Sequence, residues 1–146
     1  MLEAPTWVNV VPVLSQDSLG ERLIMVRQFR QGISAPTVEF PAGLAEAGED
    51  PREAAARELA EETGYRARSL EPIGSVAANP AFMTNWCLTF CAEGLTAGTR
   101  RPDALEDLEV LEVPTERLRA AIGQGEFVNS MTAVALLWYL RHRERL

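Results

Sequence analysis

Five charged side chains lie close together between residues 53 and 62: Glu53, Arg57, Glu58, Glu61 and Glu62. On a helix, their spacings of three, four and five place them on one broad face. Ala55, Ala56, Leu59 and Ala60 take the other side. Glu58 stands at helical neighbour distance from both Glu61 and Glu62, and each like-charge pair costs an isolated helix a few tenths of a kcal/mol. Arg57 can reach Glu61 or Glu53, but one guanidinium cannot neutralise four carboxylates. A surface that retains such repulsion is explained if it holds divalent cations. Hard ions such as magnesium bind a few carboxylates together with the phosphate of a substrate.

The element that must carry these groups is well marked. Asp50 suits an N-cap, Pro51 the first helical position and Glu53 a capping box, while Gly64 suits a left-handed C-terminal stop. The signals predict a helix over 51–63. Ahead of it, strands are expected at Trp7 to Leu14, at Arg22 to Phe29 and at Thr37 to Phe40. Pro12 marks the first as a candidate edge strand, and Gly43 to Asp50 reads as a loop. Beyond it, strands are expected at Tyr65 to Val76, Trp86 to Glu93 and Leu108 to Val113, with Asn79 to Phe82 a loop and Gly94 to Glu106 another. Helices close the chain at Thr115 to Ile122 and Ser130 to Arg143, the second apolar nearly all round and so expected to be buried. Many strands with few interleaved helices predict an α+β fold, a mixed sheet sandwiched between helices.

Composition limits the functions open to the chain. A length of 146 residues, 47% hydrophobic and 24% charged, predicts one soluble domain over 1–146 with a real core. No apolar run reaches the roughly 20 residues of a membrane span, and the first residues lack a secretory leader, so the cytoplasm is expected. A net charge of −7 opposes non-specific nucleic-acid binding, which needs a basic stripe. Cys87 and Cys91 share one face of a strand and read as buried free thiols, since no C-x-x-C pair exists and His142 is the only histidine.

The helix belongs to a longer pattern. Gly43, five residues, Glu49, seven residues, then Arg57-Glu58-Leu59-Ala60-Glu61-Glu62-Thr63-Gly64-Tyr65 resembles the Nudix box, G-x5-E-x7-R-E-U-x-E-E-x-G-U, at every specified position. Gly43 permits the turn that opens the loop, and Glu49 is placed to pair with Arg57 and lock loop to helix. The resemblance implies that Glu58 and Glu62 are the principal magnesium ligands, with manganese an alternative ion. It further implies that Glu61 contributes and that the Ala42 carbonyl completes the site. Metal ions held there polarise phosphorus and activate water for hydrolysis of a P–O–P bridge. Glu58, Glu61, Arg57 and a later base form the implied catalytic set.

The flanking stretches resemble the ADP-ribose pyrophosphatase branch, whose reaction gives AMP and ribose 5-phosphate. Val26-Arg27-Gln28-Phe29-Arg30 looks like the strand end that delivers an arginine to the diphosphate, Arg30 first and Arg27 second. Val38-Glu39-Phe40-Pro41-Ala42-Gly43 resembles the entry to the box, where the glutamate helps to hold substrate or metal-bound water. Pro80, sixteen residues past Gly64, matches a mark of the branch, and Phe82 beside it is a substrate-side candidate. Ala81 and Asn85 depart from the glycine and glutamate often found there. Glu106 aligns with the carboxylate that activates water, with Asp107 and Glu109 behind it. Trp7, Phe29 or Phe82 could stack on adenine. The resemblance leaves three alternatives: a broader nucleoside-diphosphate-sugar hydrolase, a nucleoside triphosphate pyrophosphatase, or a non-catalytic nucleotide sensor. It implies a small nucleotide as ligand and a homodimer as assembly.

Overall fold

The computed structural model describes residues 1–18, 20–100 and 107–144. Among these lie seven strands and three α-helices: β1 (Trp7–Asp17), β2 (Gly20–Arg30), β3 (Ala35–Glu39), β4 (Ala42–Leu44), α1 (Pro51–Thr63), β5 (Tyr65–Ala77), β6 (Trp86–Ala97), β7 (Glu109–Pro114), α2 (Thr115–Ala121) and α3 (Ser130–His142). The main path of the sheet runs β3-β2-β1-β6-β5, with β4 on β1 and β7 on β2. Because β1 and β6 run parallel while their neighbours are antiparallel, the sheet is mixed, as the sequence predicts.

Strand β1 belongs to two halves of the sheet. Its first half, Trp7 to Pro12, pairs with β6, and residues 7–9 pair with β4. From Val13 onward it pairs with β2 instead. Pro12 therefore lies buried in a central strand rather than at an edge. It stands where one ladder ends and the next begins, so its missing N–H falls at the change of partner.

Alternation along the strands separates two layers of core. Val8 and Val10 of β1 and Phe90 and Ala92 of β6 pack with Ala54, Ala55 and Leu59 of α1. Val11, Val13, Leu23, Met25 and Cys91 face the other way, onto Leu118 of α2 and Ala135, Leu136, Tyr139 and Leu140 of α3. Helix α3 is not buried all round: Ala133, Leu137 and Arg141, four residues apart, face solvent. Gly74 lets it approach β5, because a Cβ there would strike the Trp138 ring. Both cysteines are free and buried. Burial pushes Cys87 up to about 11 and Cys91 up to about 12, so both stay protonated at neutral pH.

Candidate active site

Helix α1 starts and stops as its sequence dictates. The Asp50 carboxylate accepts the Arg52 amide at 2.8 Å, and Gly64 closes the helix at φ 79°. A side chain at Gly64 would also meet the Gly98 carbonyl, so this position requires glycine twice over. The buried stripe is Ala54, Ala55, Leu59, Glu62 and Thr63. Ala56 is thus exposed, unlike the sequence-based face assignment, and Glu62 turns inward.

The short strand β4 brings the loop against this stripe. The Ala42 amide donates to Glu62 Oε2 at 3.3 Å, and Glu62 is 5% exposed. Gly43 lies directly against Glu58, where any Cβ would collide with the carboxylate. Two carboxylates from successive turns of α1 thus converge on the backbone of residues 42 and 43. The donors are all oxygens, and the glycine keeps the approach open, which fits a hard divalent cation.

Arg57 is the hub of the site. It donates to both oxygens of Glu49 at 3.0 Å, to Glu58 Oε1 at 3.0 Å, to Glu61 Oε2 at 3.4 Å and to the Leu44 carbonyl at 3.0 Å. This fork ties the loop to the helix as the spacing implied. Its hydrogen bonds, together with the Glu46 amide, hold the Glu49 carboxyl down at about 2. The same bonds donated to Glu49, with the nearby charge of Glu58, raise the Arg57 guanidinium above its ordinary value despite partial burial. Arg57 consequently clamps the loop to the Glu58 and Glu61 carboxylates of α1.

A second cluster lies on the other half of the sheet. Glu39, 5% exposed, accepts two hydrogen bonds from Arg30 at 2.7 and 3.0 Å, one from the Thr37 hydroxyl at 2.6 Å and one from the Asn129 amide at 2.6 Å. Asn129 also caps α3, accepting from Met131 and Thr132. Glu39 is therefore occupied in holding Arg30 and the start of α3. Arg27 projects to the opposite face of β2 and is taken up by Glu126, with two bonds at 2.9 and 2.7 Å. It lines a groove of about 430 Å³ with Phe29, Pro36, Asp107 and Glu109.

Pro80 and Phe82 sit on a third, exposed stretch. There the Leu2 amide donates to the Phe82 carbonyl at 2.7 Å, and the Thr84 amide donates to Leu2 at 3.0 Å. The structure thus joins Glu58 and Glu61 through Arg57, sets Gly43 against Glu58 and Ala42 against Glu62, and joins Arg30 to Glu39. Arg27 has other partners, Phe82 is bonded to the N-terminal segment, and Pro80 is exposed beside it. Glu106 lies outside the described residues. Sequence reasoning missed Asn129 and Glu126. Asparagine just before a predicted helix signals the cap, but nothing local signals its second bond to a glutamate 90 residues away.

The profile of the NUDIX domain matches residues 6–131. The chain belongs to the Nudix family. Over 140 residues it is 38% identical to the ADP-ribose pyrophosphatase of Bacillus subtilis, an alignment covering 94% of this chain and 75% of the relative. Over 144 residues it is 32% identical to the methanol dehydrogenase activator of Bacillus methanolicus, covering 97% and 75%. A solved structure described as an ADP compounds hydrolase superposes with a TM-score of 0.83 at 25% identity, covering 97% of this chain and 77% of that one. This Nudix chain is a pyrophosphohydrolase acting on small nucleotide substrates, and hydrolases of the family in general use divalent metals.

Proposed function

We propose that this Nudix enzyme hydrolyses the diphosphate of ADP-ribose to AMP and ribose 5-phosphate with magnesium, or manganese in its place. The observation that carries the reading is the convergence of Glu58 and Glu62 on Ala42 and Gly43, fixed by the Arg57–Glu49 fork. Relatives named as an ADP-ribose pyrophosphatase and an ADP compounds hydrolase support the substrate class.

The chemistry assigns each residue a task. Glu58 and Glu62 would hold the divalent ion with the Ala42 backbone, and Glu61 would assist. Bound there, the ion supplies Lewis-acid polarisation of the phosphate oxygens and lowers the pKa of water. Arg30, oriented by Glu39, grips a phosphate oxygen with its guanidinium fork. Water attacks one phosphorus, the bridging P–O bond breaks, and the leaving phosphate departs with the bridging oxygen. The proton of the water is assigned to Glu106, with Asp107 and Glu109 next in line. Phe29, more than half exposed beside the groove, offers a face for adenine.

A substrate panel read by product mass tests this reading. AMP with ribose 5-phosphate, formed only with a divalent ion, is the expected result. Pyrophosphate released from a nucleoside triphosphate would replace it with the broader pyrophosphatase reading. The relative named as an enzyme activator supports a second reading, in which the domain binds a nucleotide and acts on a partner enzyme. Nucleotide binding without turnover under every divalent ion would favour that one. We also assign a homodimer, with exposed Leu2, Phe82 and Trp86 as candidate contacts; sedimentation as a monomer removes that assignment.

A further inference from the structure

A second constellation of ligating side chains lies on the face of the sheet away from α1. Cys91 and Glu93 stand on β6, Glu71 stands opposite Cys91 on β5, and His142 ends α3. Ligand atoms of Cys91, Glu93 and His142 all lie within 4.8 Å of one another. The Cys91 Sγ is 4.0 Å from Glu93 Oε1, and His142 Nε2 is 3.7 Å from Glu71 Oε2.

These separations are close to those of a metal centre. Zinc bonds of about 2.0–2.3 Å in a tetrahedron put neighbouring ligand atoms roughly 3.3–3.8 Å apart. The donor set of one sulfur, one imidazole and carboxylates suits zinc or a similar transition ion and is foreign to magnesium. Cys91 is 1% exposed beneath the cluster, while His142, Glu93 and Glu71 open progressively to solvent. The sulfur is therefore fixed from below, and an ion could enter from above. The guanidinium of Arg143 lies 3.0 Å from Glu93 Oε1 and approaches the Tyr139 hydroxyl, so it competes for that carboxylate.

We propose that Cys91, Glu93 and His142 form a structural transition-metal site, with Glu71 within reach of the fourth position. It would lash the end of α3 to strands β5 and β6. On binding, the Cys91 thiol releases its proton to solvent, and the thiolate becomes the sulfur ligand. The site shares no residue with the Nudix box and faces the opposite core layer, so it does not depend on the catalytic reading.

Cobalt(II) titration of the purified, metal-free full chain tests it, because a thiolate-to-cobalt charge-transfer band can come only from a cysteine ligand. The expected result is a band that saturates at one equivalent, is abolished by zinc, persists in Cys87→Ala and is lost in both Cys91→Ala and His142→Ala. His142 is at a partly exposed helix end, so His142→Ala should keep the far-ultraviolet circular dichroism and the magnesium-dependent diphosphate hydrolysis of the parent. Absence of the band in the parent chain overturns the proposal, as does its survival in His142→Ala or its loss in Cys87→Ala.

Discussion

In the proposed reading, Glu62 serves chemistry at the expense of stability. It is nearly inaccessible, it stands one turn from Glu58, and it accepts the Ala42 amide. Glu62→Gln keeps an acceptor for that amide but removes the charge. Loss of a metal ligand should cost on the order of 3 kcal/mol of transition-state stabilisation or more, so kcat should fall about a hundredfold or further. Thermal stability without magnesium should rise in the same variant, since the repulsion is relieved. Near-parental turnover would remove Glu62 from the essential ligands. In the proposed reading, Arg30 grips the substrate. Charge-assisted hydrogen bonds contribute about 1.5–3 kcal/mol, so Arg30→Ala should raise KM for ADP-ribose by about tenfold or more. Unchanged affinity would exclude Arg30 from the pocket.

At the scale of elements, α1 and its loop form one unit held at both ends. Its N-terminus rests on the Asp50 cap, and Asp50→Ala should cost about 1 kcal/mol, read from the urea midpoint. The loop rests on the Glu49–Arg57 fork. The Glu49 carboxyl falls from its ordinary 4.5 to about 2 in the fold. A depressed carboxylate contributes stability that is complete above its unfolded value and disappears as pH falls through its folded one. The tie should accordingly be whole at neutral pH, weaken between about 4.5 and 2, and be gone below. Comparing acid unfolding of the parent and Glu49→Gln checks this: the variant should lack that component, and identical acid profiles would mean that the fork contributes nothing.

For the whole molecule, excess negative charge and the proposed cation site should make stability depend on the medium. Magnesium should stabilise the fold by mass action, about 2.7 kcal/mol at a hundredfold excess over Kd, and so raise Tm, and a chelator should stop hydrolysis. A Tm insensitive to magnesium in the parent would mean that α1 holds no ion. How much of this could be read from the chain follows from the range of each interaction. Helix α1 and its fork were legible because caps, spacing and partners all lie within 22 residues. Strand β4 was not, since three residues give no alternation and its pairing is with β1, far away in sequence. The difference between Arg27 and Arg30 was hidden for the same reason: each is oriented by a glutamate, but Glu126 lies 99 residues from Arg27 and Glu39 only nine from Arg30. Pro12 read as an edge residue because composition cannot reveal that a strand changes neighbours midway.

That change of neighbours has a mechanical consequence. The carboxylates of α1 ride on the half of the sheet built from β4, β6 and β5, while Arg30 and Glu39 ride on the half built from β2 and β3. The backbone common to both is the stretch Val11 to Val13, where β1 changes partner, and a diphosphate gripped from both sides would tie the two halves together. Deuterium uptake along that stretch should then slow when substrate analogue and magnesium are present together, and by less with either alone.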